Sequence, residues 1–190
     1  MAEPYDAVVL AGGSARRLGG VDKPGLVVGD ASMLDRVLRA VDGAARVVVA
    51  GPCRTTTRPV IWCREKPPGG GPVAALAAGL IEVTADRVVV LAGDLPFVTP
   101  HAVATLLDAT AGENGALLVD FEGRDQLLAG AWRTEALRRA LPAEPGGVRL
   151  ATVLLDLNPV RVAIEQASDL APPWFDCDTD DDLATARGMT

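Results

Sequence analysis

Short apolar runs alternate along the chain with stretches whose apolar residues are spaced three or four positions apart. The first pattern is typical of buried parallel strands, and the second is typical of helices that bury one face. The predicted strands are residues 7–11, 46–50, 60–63, 87–92, 116–119 and 160–164. The predicted helices are residues 32–41, 72–80, 100–111, 134–141, 148–155 and 180–187. This alternation predicts an α/β fold, a three-layer α/β/α sandwich with a mainly parallel sheet.

Composition narrows the class of protein. The chain has 190 residues, of which 49% are hydrophobic, so we expect one globular domain spanning residues 1–190. The net charge of −7 argues against binding to nucleic acid or to an anionic membrane, since both need a basic face. No segment approaches the roughly 20 apolar residues of a membrane span. The acidic N-terminal segment does not resemble a secretory signal.

The cysteines indicate the redox compartment. Cys53, Cys63 and Cys177 are odd in number, and their spacing matches no zinc pattern. We expect reduced thiols that act as small buried hydrophobes. A cytoplasmic location is therefore predicted.

A glycine-rich segment follows the first predicted strand. Gly12 and Gly13 lack a Cβ, so backbone N–H groups there can approach an anion closely. The cations that follow are Arg16, Arg17 and Lys23. This combination predicts a triphosphate site. A tight turn without a ligand is the alternative, because Pro24 after the lysine departs from the P-loop motif and no G-x-G-x-x-G is present.

Carboxylates follow the predicted strand at 87–92 and recur near the C-terminus. Asp94 follows that buried strand, and Asp176 and Asp178 alternate in a segment where extended backbone would point both to one side. Magnesium prefers such oxygen ligands together with substrate phosphates. Asp94 and Asp178 are the predicted metal ligands. Capping of a turn or helix remains the alternative for each.

Glu65 stands before a second glycine cluster, residues 69–71. Its carboxylate can accept hydrogen bonds from guanine N1–H and the 2-amino group together, which cytosine and uracil do not offer in that geometry. A solvated glutamate between Arg64 and Lys66 is the alternative. The glycine cluster itself is predicted to be a loop of the active site.

Other polar and aromatic residues are weaker candidates. His101 is predicted to be a surface histidine, and Trp132 to pack in the core in preference to lining a base or pterin pocket. Arg124, Arg149 and the turn at residues 146–149 suit an anionic pterin, but they equally suit solvated surface positions.

Several separated segments together resemble one family. Residues 10–23 read LAGGSARRLGGVDK, which is similar to the nucleotidyltransferase pattern L-A-G-G-x-S/A-x-R-M-G-x-D-K. The segments GPVAAL at 71–76, GDLPF at 93–97 and DCDTDDDL at 176–183 follow in the same order. Over nearly the whole chain, the sequence resembles molybdenum cofactor guanylyltransferases.

The resemblance implies a nucleotidyltransferase fold of the Rossmann-like kind and transfer of GMP from Mg-GTP to molybdopterin. It implies that Lys23 holds phosphates, that Glu65 contacts the base and that Asp94 binds magnesium. The implied lining of the nucleotide is Leu10, Ala11, Gly12 and Gly13. It further implies that residues 1–110 bind the nucleotide and residues 111–190 the acceptor.

The chain departs from the family pattern at a few positions. Leu18 replaces methionine, Asp180 replaces proline, and Ala50 stands where some members carry a nucleotide-contacting asparagine. The sequence L-A-G-G at residues 10–13 favours guanine, because related cytidylyltransferases resemble L-A-A-G at this point.

We expect direct attack by a phosphate oxygen of molybdopterin on the α-phosphorus of GTP, with pyrophosphate leaving. The predicted catalytic residues are Lys23, Asp94 and Arg17. Mg²⁺ is the expected cofactor, with Mn²⁺ as an alternative. Contact with other cofactor-synthesis proteins or molybdoenzymes is the expected protein interaction. The rival interpretations are a cytidylyltransferase, a nucleotidyltransferase with another phosphorylated acceptor, and an inactive nucleotide-binding regulator.

Overall fold

The computed structural model describes residues 3–12, 22–164 and 171–190. Its main sheet has seven strands in the order β5-β4-β1-β6-β8-β7-β9. These strands are β1 (Tyr5–Leu10), β4 (Val47–Ala50), β5 (Ile61–Cys63), β6 (Arg87–Ala92), β7 (Gly115–Val119), β8 (Asp125–Arg133) and β9 (Val160–Val162). A small antiparallel pair, β2 (Val27–Val28) and β3 (Ala31–Ser32), lies outside this sheet. Parallel pairing joins β5, β4, β1 and β6, so the predicted mainly parallel sheet is confirmed.

The helices begin close to their predicted starts. They are α1 (Met33–Ala40), α2 (Pro72–Leu80), α3 (Pro100–Ala109), α4 (Thr134–Ala140), α5 (Leu150–Leu154) and α6 (Asp180–Gly188). Local chemistry explains the starts: Ser32 and Thr179 accept hydrogen bonds from the first turns of α1 and α6. Among the described residues, no helix has the length and apolar character needed to cross a membrane.

The strands bury both faces, which produces the layers. In β1, Ala7 and Val9 pack into the cluster formed with α1 and α3. Val8 and Leu10 point the other way, into the cluster formed with α2, α4 and α5. The predicted three-layer α/β/α sandwich is therefore confirmed.

The sequence prediction missed the longest strand. β8 runs antiparallel between β6 and β7, and its register with β7 shifts between Leu117 and Leu118. Its sequence begins with Asp125 and Gln126 and includes Gly130, so it lacks a continuous apolar run. The register shift is a β-bulge, and it lies near the carboxyl end of β6.

The predictions for single residues and for one helix end were partly right and partly wrong. Trp132 is fully buried in the core and His101 is exposed, as predicted. The expectation of buried thiols was wrong for Cys53, which is exposed, although Cys177 is buried and its pKa is raised to about 12 by that burial. The helix predicted at 148–155 is shorter, because α5 gives way to a 3₁₀ turn at Leu155–Leu157.

Candidate active site

The carboxyl ends of the central parallel strands meet around a cavity of about 620 Å³. Crevices in this position are where open α/β sheets bind ligands. Most of the lining comes from the ends of β1, β4, β5 and β6 and from the loops after them, and the rest comes from α2 and β8. It includes Leu10, Gly12, Gly51, Arg64, Glu65, Gly69, Gly71, Asp94 and Leu128.

Close packing of backbone forms the floor of this cavity. A Cβ on Gly51 would lie 2.6 Å from the carbonyl oxygen of Ala11, and a Cβ on Gly93 would lie 3.0 Å from the Ala11 side chain. Only glycine at both positions lets the ends of β4 and β6 approach the end of β1 this closely. The strand ends are thereby held together.

A lysine ammonium joins carboxylates from distant parts of the chain. Lys23 Nζ lies 2.5 Å from Asp94 Oδ2 and 2.5 Å from Asp178 Oδ1. Burial alone would lower the pKa of Lys23, but hydrogen bonds and charge from Asp178 and Asp94 raise it above its ordinary 10.5. The ammonium is therefore fully charged at neutral pH. It fastens the C-terminal segment to the loop after β6.

Negative charge surrounds this ammonium. Burial raises the pKa of Asp176, and the charges of Asp178 and Asp94 raise it further. Carboxylate oxygens are the ligands that hard divalent ions prefer, so Asp94 and Asp178 could hold such an ion together with oxygens of a ligand. Within residues 3–12, 22–164 and 171–190, no group of three or more such ligating side chains is placed to hold a metal.

Glu65 belongs to the second glycine loop. Its Oε1 accepts a hydrogen bond of 2.8 Å from the backbone N–H of Gly69, which fixes the carboxylate at the cavity wall. The same loop is braced from the other half of the chain, since Gly147 donates to the carbonyl of Gly70 at 2.9 Å. The loop predicted to belong to the active site therefore borders the cavity.

Comparison with known proteins decides the family. Residues 7–160 match the family described as the MobA-like NTP transferase domain. The chain belongs to this family. A molybdenum cofactor guanylyltransferase of Acidiphilium cryptum is 33% identical over 192 residues, which cover 95% of this chain and 93% of that protein.

Two further proteins are similar to this chain, one over less of its length and one at lower identity. A probable molybdenum cofactor guanylyltransferase of Methanosarcina mazei is 32% identical over 124 residues. That match covers 58% of this chain and spans about half of the relative, 55% of its length. The crystal structure of molybdopterin-guanine dinucleotide biosynthesis protein A from Archaeoglobus fulgidus superposes with a TM-score of 0.74. It covers 97% of each chain at 23% identity, so it shows the same fold.

The MobA-like fold brings most of the predicted site residues together. Leu10, Gly12, Glu65 and Asp94 line the cavity, and Lys23 contacts Asp94. Asp178 also contacts Lys23, and Ala11 is buried beside the cavity. Gly13, Arg16 and Arg17 lie outside the described residues. The functional roles of all of them stay predictions.

The weaker candidates do not line the cavity. Arg124 pairs with Glu122 in the turn between β7 and β8, and Arg149 is exposed at the start of α5. Ala50 is fully buried and packs into the core beside α2. A nucleotide contact from the Ala50 side chain is therefore not supported.

Sequence reasoning missed an arginine beside the cavity. Arg54 donates to the carbonyl of Ala11 at 3.1 Å and to the Asp22 carboxylate at 2.5 and 2.6 Å. Ala11 and Asp22 stand at either end of the glycine-rich segment, so one guanidinium holds both ends. No local motif could reveal it, because its partners are 32 and 43 residues away.

Leu128 was also missed. It lies in β8 where the register with β7 shifts, and it lines the cavity beside Ala92 and Asp94. Bulges commonly redirect side chains next to active sites. Sequence analysis could not identify Leu128 as a cavity residue, because it did not predict β8.

Proposed function

We propose that this chain transfers GMP from Mg-GTP to the phosphate of molybdopterin and releases pyrophosphate. The names of the full-length relatives support the activity. The observation that carries it is the shared ammonium: Lys23 stands between Asp94 and Asp178 at the edge of the cavity. A polyphosphate needs this combination of cation and carboxylates, because a magnesium ion must be held and growing negative charge neutralised.

Each side chain has a proposed role in this reaction. Lys23 neutralises charge on the departing pyrophosphate, and we assign the same role to Arg17. Asp94 and Asp178 hold Mg²⁺, which when bound neutralises phosphate oxygens. Leu10 and Gly12 border the nucleotide.

Recognition of the base falls to Glu65. The Gly69 N–H fixes this carboxylate at the cavity wall, where it can accept from guanine N1–H and the 2-amino group. Loss of one such hydrogen bond costs about 1–3 kcal/mol, enough to discriminate between bases.

The two halves of the chain divide the substrates in this proposal. Residues 1–110 bind the nucleotide, since they supply nearly all of the cavity lining and Leu128 is the contribution of the second half. Residues 111–190 bind the acceptor. The acidic net charge and the free cysteines support a cytoplasmic location, where other cofactor-synthesis proteins are the proposed contacts.

A pyrophosphate-release assay tests the reaction. GTP, Mg²⁺ and molybdopterin are each omitted in turn, and the four nucleoside triphosphates are compared. We expect release only with all three components and a preference for GTP. Preference for CTP would discard the assignment of the base, and nucleotide binding without turnover would establish the regulator.

Asp94→Asn tests the proposed metal ligand. The change removes the charge while keeping the shape, and we expect turnover to fall by about 10²–10³-fold. Asp108→Asn is the matched control, since Asp108 is exposed on α3 away from the cavity. Undiminished Mg²⁺-dependent transfer in folded Asp94→Asn protein would show that the assigned role is wrong.

A further inference from the structure

A pair of aromatic rings, one exposed and one partly buried, lies at the carboxyl end of β7. Phe121 is 74% exposed, an unusual position for a large apolar side chain. Its ring meets that of Trp174 edge to face, with centroids 5.0 Å apart and planes at 74°. Trp174 itself packs on the core cluster that also contacts Leu128.

The turn that carries Phe121 is firmly built. Asp120 Oδ1 accepts 2.9 Å hydrogen bonds from the backbone N–H groups of Glu122 and Arg124. The Asp120 carbonyl accepts another from Gly123 at 2.9 Å. Backbone bonding therefore sets the outward position of the Phe121 ring, and no burial of the ring is needed to hold it.

Sheet register places the turn that carries this ring two strands away from the loop that carries Asp94. Val90 of β6 pairs with Gly130 of β8, and Gly130 pairs with Leu117 of β7. β6 and β7 therefore run in the same direction about 10 Å apart, and both end on the side of the sheet where the cavity lies.

The second ring is tied to the same site through the chain. Trp174 precedes Asp178 by four residues, and the Asp178 carboxylate holds Lys23. Leu128 lines the cavity and packs on the same core cluster as Trp174, so one apolar cluster underlies both the cavity wall and the second ring. The cation and carboxylates of the site and the aromatic rings are thus joined through the chain and through this cluster.

We propose that Phe121 and Trp174 form the subsite for the flat heterocyclic ring of the acceptor, whose phosphate reaches towards Asp94 at the end of β6. This inference rests on the proposed function. Flat heterocycles stack on aromatic side chains largely irrespective of their polar edges, which suits a pterin. The rings select the acceptor, while the cavity selects the nucleotide.

Kinetics of Phe121→Ala separates these two roles. The substitution removes stacking on the acceptor and leaves the nucleotide cavity unchanged. We therefore expect KM for molybdopterin to rise about tenfold while KM for GTP stays unchanged. Phe121→Trp restores the ring and the KM. Ile81→Ala is the matched control, since Ile81 is 78% exposed at the far end of α2. An unchanged KM for molybdopterin in Phe121→Ala would overturn the subsite.

A binding experiment gives a readout that does not depend on turnover. Equilibrium dialysis compares 6-hydroxymethylpterin monophosphate with methyl phosphate, which lacks the ring, on wild-type protein and Phe121→Ala. We expect the variant to bind the pterin about tenfold more weakly and methyl phosphate equally well. Equal pterin binding by both proteins contradicts the subsite even if GMP transfer occurs. Ring-dependent pterin binding without GMP transfer leaves the subsite standing and removes the proposed function.

Discussion

The sheet has two sides, β5-β4-β1-β6 and β8-β7-β9. They carry different chemistry at one edge, the one where β1, β4, β5 and β6 have their carboxyl ends. On one side, β5, β4, β1 and β6 are parallel, and their carboxyl ends lead into glycine loops and charged residues. On the other, the antiparallel β8 separates β6 from β7, and the edge carries Leu128, Phe121 and Trp174. The first side suits a polyanion, and the second suits a flat apolar group.

This difference follows from strand direction. Parallel strands deliver every following loop to one edge, so backbone N–H groups and loop side chains accumulate there. An antiparallel strand instead begins at that edge, and Asp125 at the start of β8 forms an ion pair with Arg161. Among the described residues, Leu128 at the register shift in β8 is the side chain of the second side that lines the cavity. Charge and stacking are thereby separated along one edge.

Removing the ammonium is expected to have the largest effect on the charged side. Lys23→Ala leaves the carboxylates of Asp94 and Asp178 facing one another and removes the cation assigned to pyrophosphate. We expect turnover to fall by about 10²–10³-fold, and pyrophosphate release measures it.

Arg139→Ala controls for the loss of one positive charge, because Arg139 is exposed on α4. Pterin binding at the aromatic rings is expected to fall less than turnover in Lys23→Ala. If both fall equally, the two sides of the edge do not act separately.

A packing substitution tests whether the second side is as tightly packed as the first. A Cβ on Gly115 would lie 2.2 Å from Cε3 of Trp132, which is fully buried. Because the indole cannot move away, we expect Gly115→Ala to lower the free energy of unfolding by about 1–3 kcal/mol.

Urea unfolding measures this change, and two further glycines calibrate it. Gly79→Ala forces a Cβ to 2.6 Å from Cγ1 of Val8 on the first side, whereas a Cβ on Gly188 meets nothing within 4 Å. If Gly115→Ala is as stable as Gly188→Ala while Gly79→Ala is destabilised, the core on the second side accommodates an added methyl group and the core on the first side does not.

The same division decides how much could be predicted from sequence. Continuous apolar runs such as 87–92 mark parallel strands buried on both faces, so the layers and the position of Asp94 followed from pattern alone. β8 escaped because its apolar residues are interrupted by Gly130 and preceded by Asp125 and Gln126. The register shift beside Leu118 adds a further departure from strict alternation.

Long-range contacts set the limit for the site. The motif placed Lys23 among the phosphate ligands, but its pairing with Asp178 spans 155 residues and has no local signature. The prediction that Asp178 joins Asp94 came from residue type, and their shared contact with Lys23 came from the fold. Arg54 is a second long-range case, because the sequence around an arginine in a loop does not indicate its partners.

Arg54 therefore offers the smallest of these tests, on the charged side. The Arg54 side chain is 12% exposed and the Asp22 side chain that it holds is 56% exposed, so solvent screening limits the energy of the pair. We expect Arg54→Ala to lower kcat/KM for GTP about fivefold to tenfold, about 1 kcal/mol, with KM for the acceptor unchanged. Arg54→Lys should recover little, because an ammonium lacks the planar fork that spans Ala11 and Asp22.

Arg58→Ala separates loop positioning from general stability. Arg58 donates to the Val41 carbonyl and to Asp42, so its guanidinium also pairs with a carbonyl and a carboxylate, but neither partner borders the glycine-rich segment. If Arg54 acts by fixing the ends of the glycine-rich segment, only its loss changes KM for GTP, although both variants lose comparable stability in urea. If the two variants have equal kinetic effects, Arg54 contributes to stability alone. The geometry of the charged side would then be set by Lys23 and the ends of the strands.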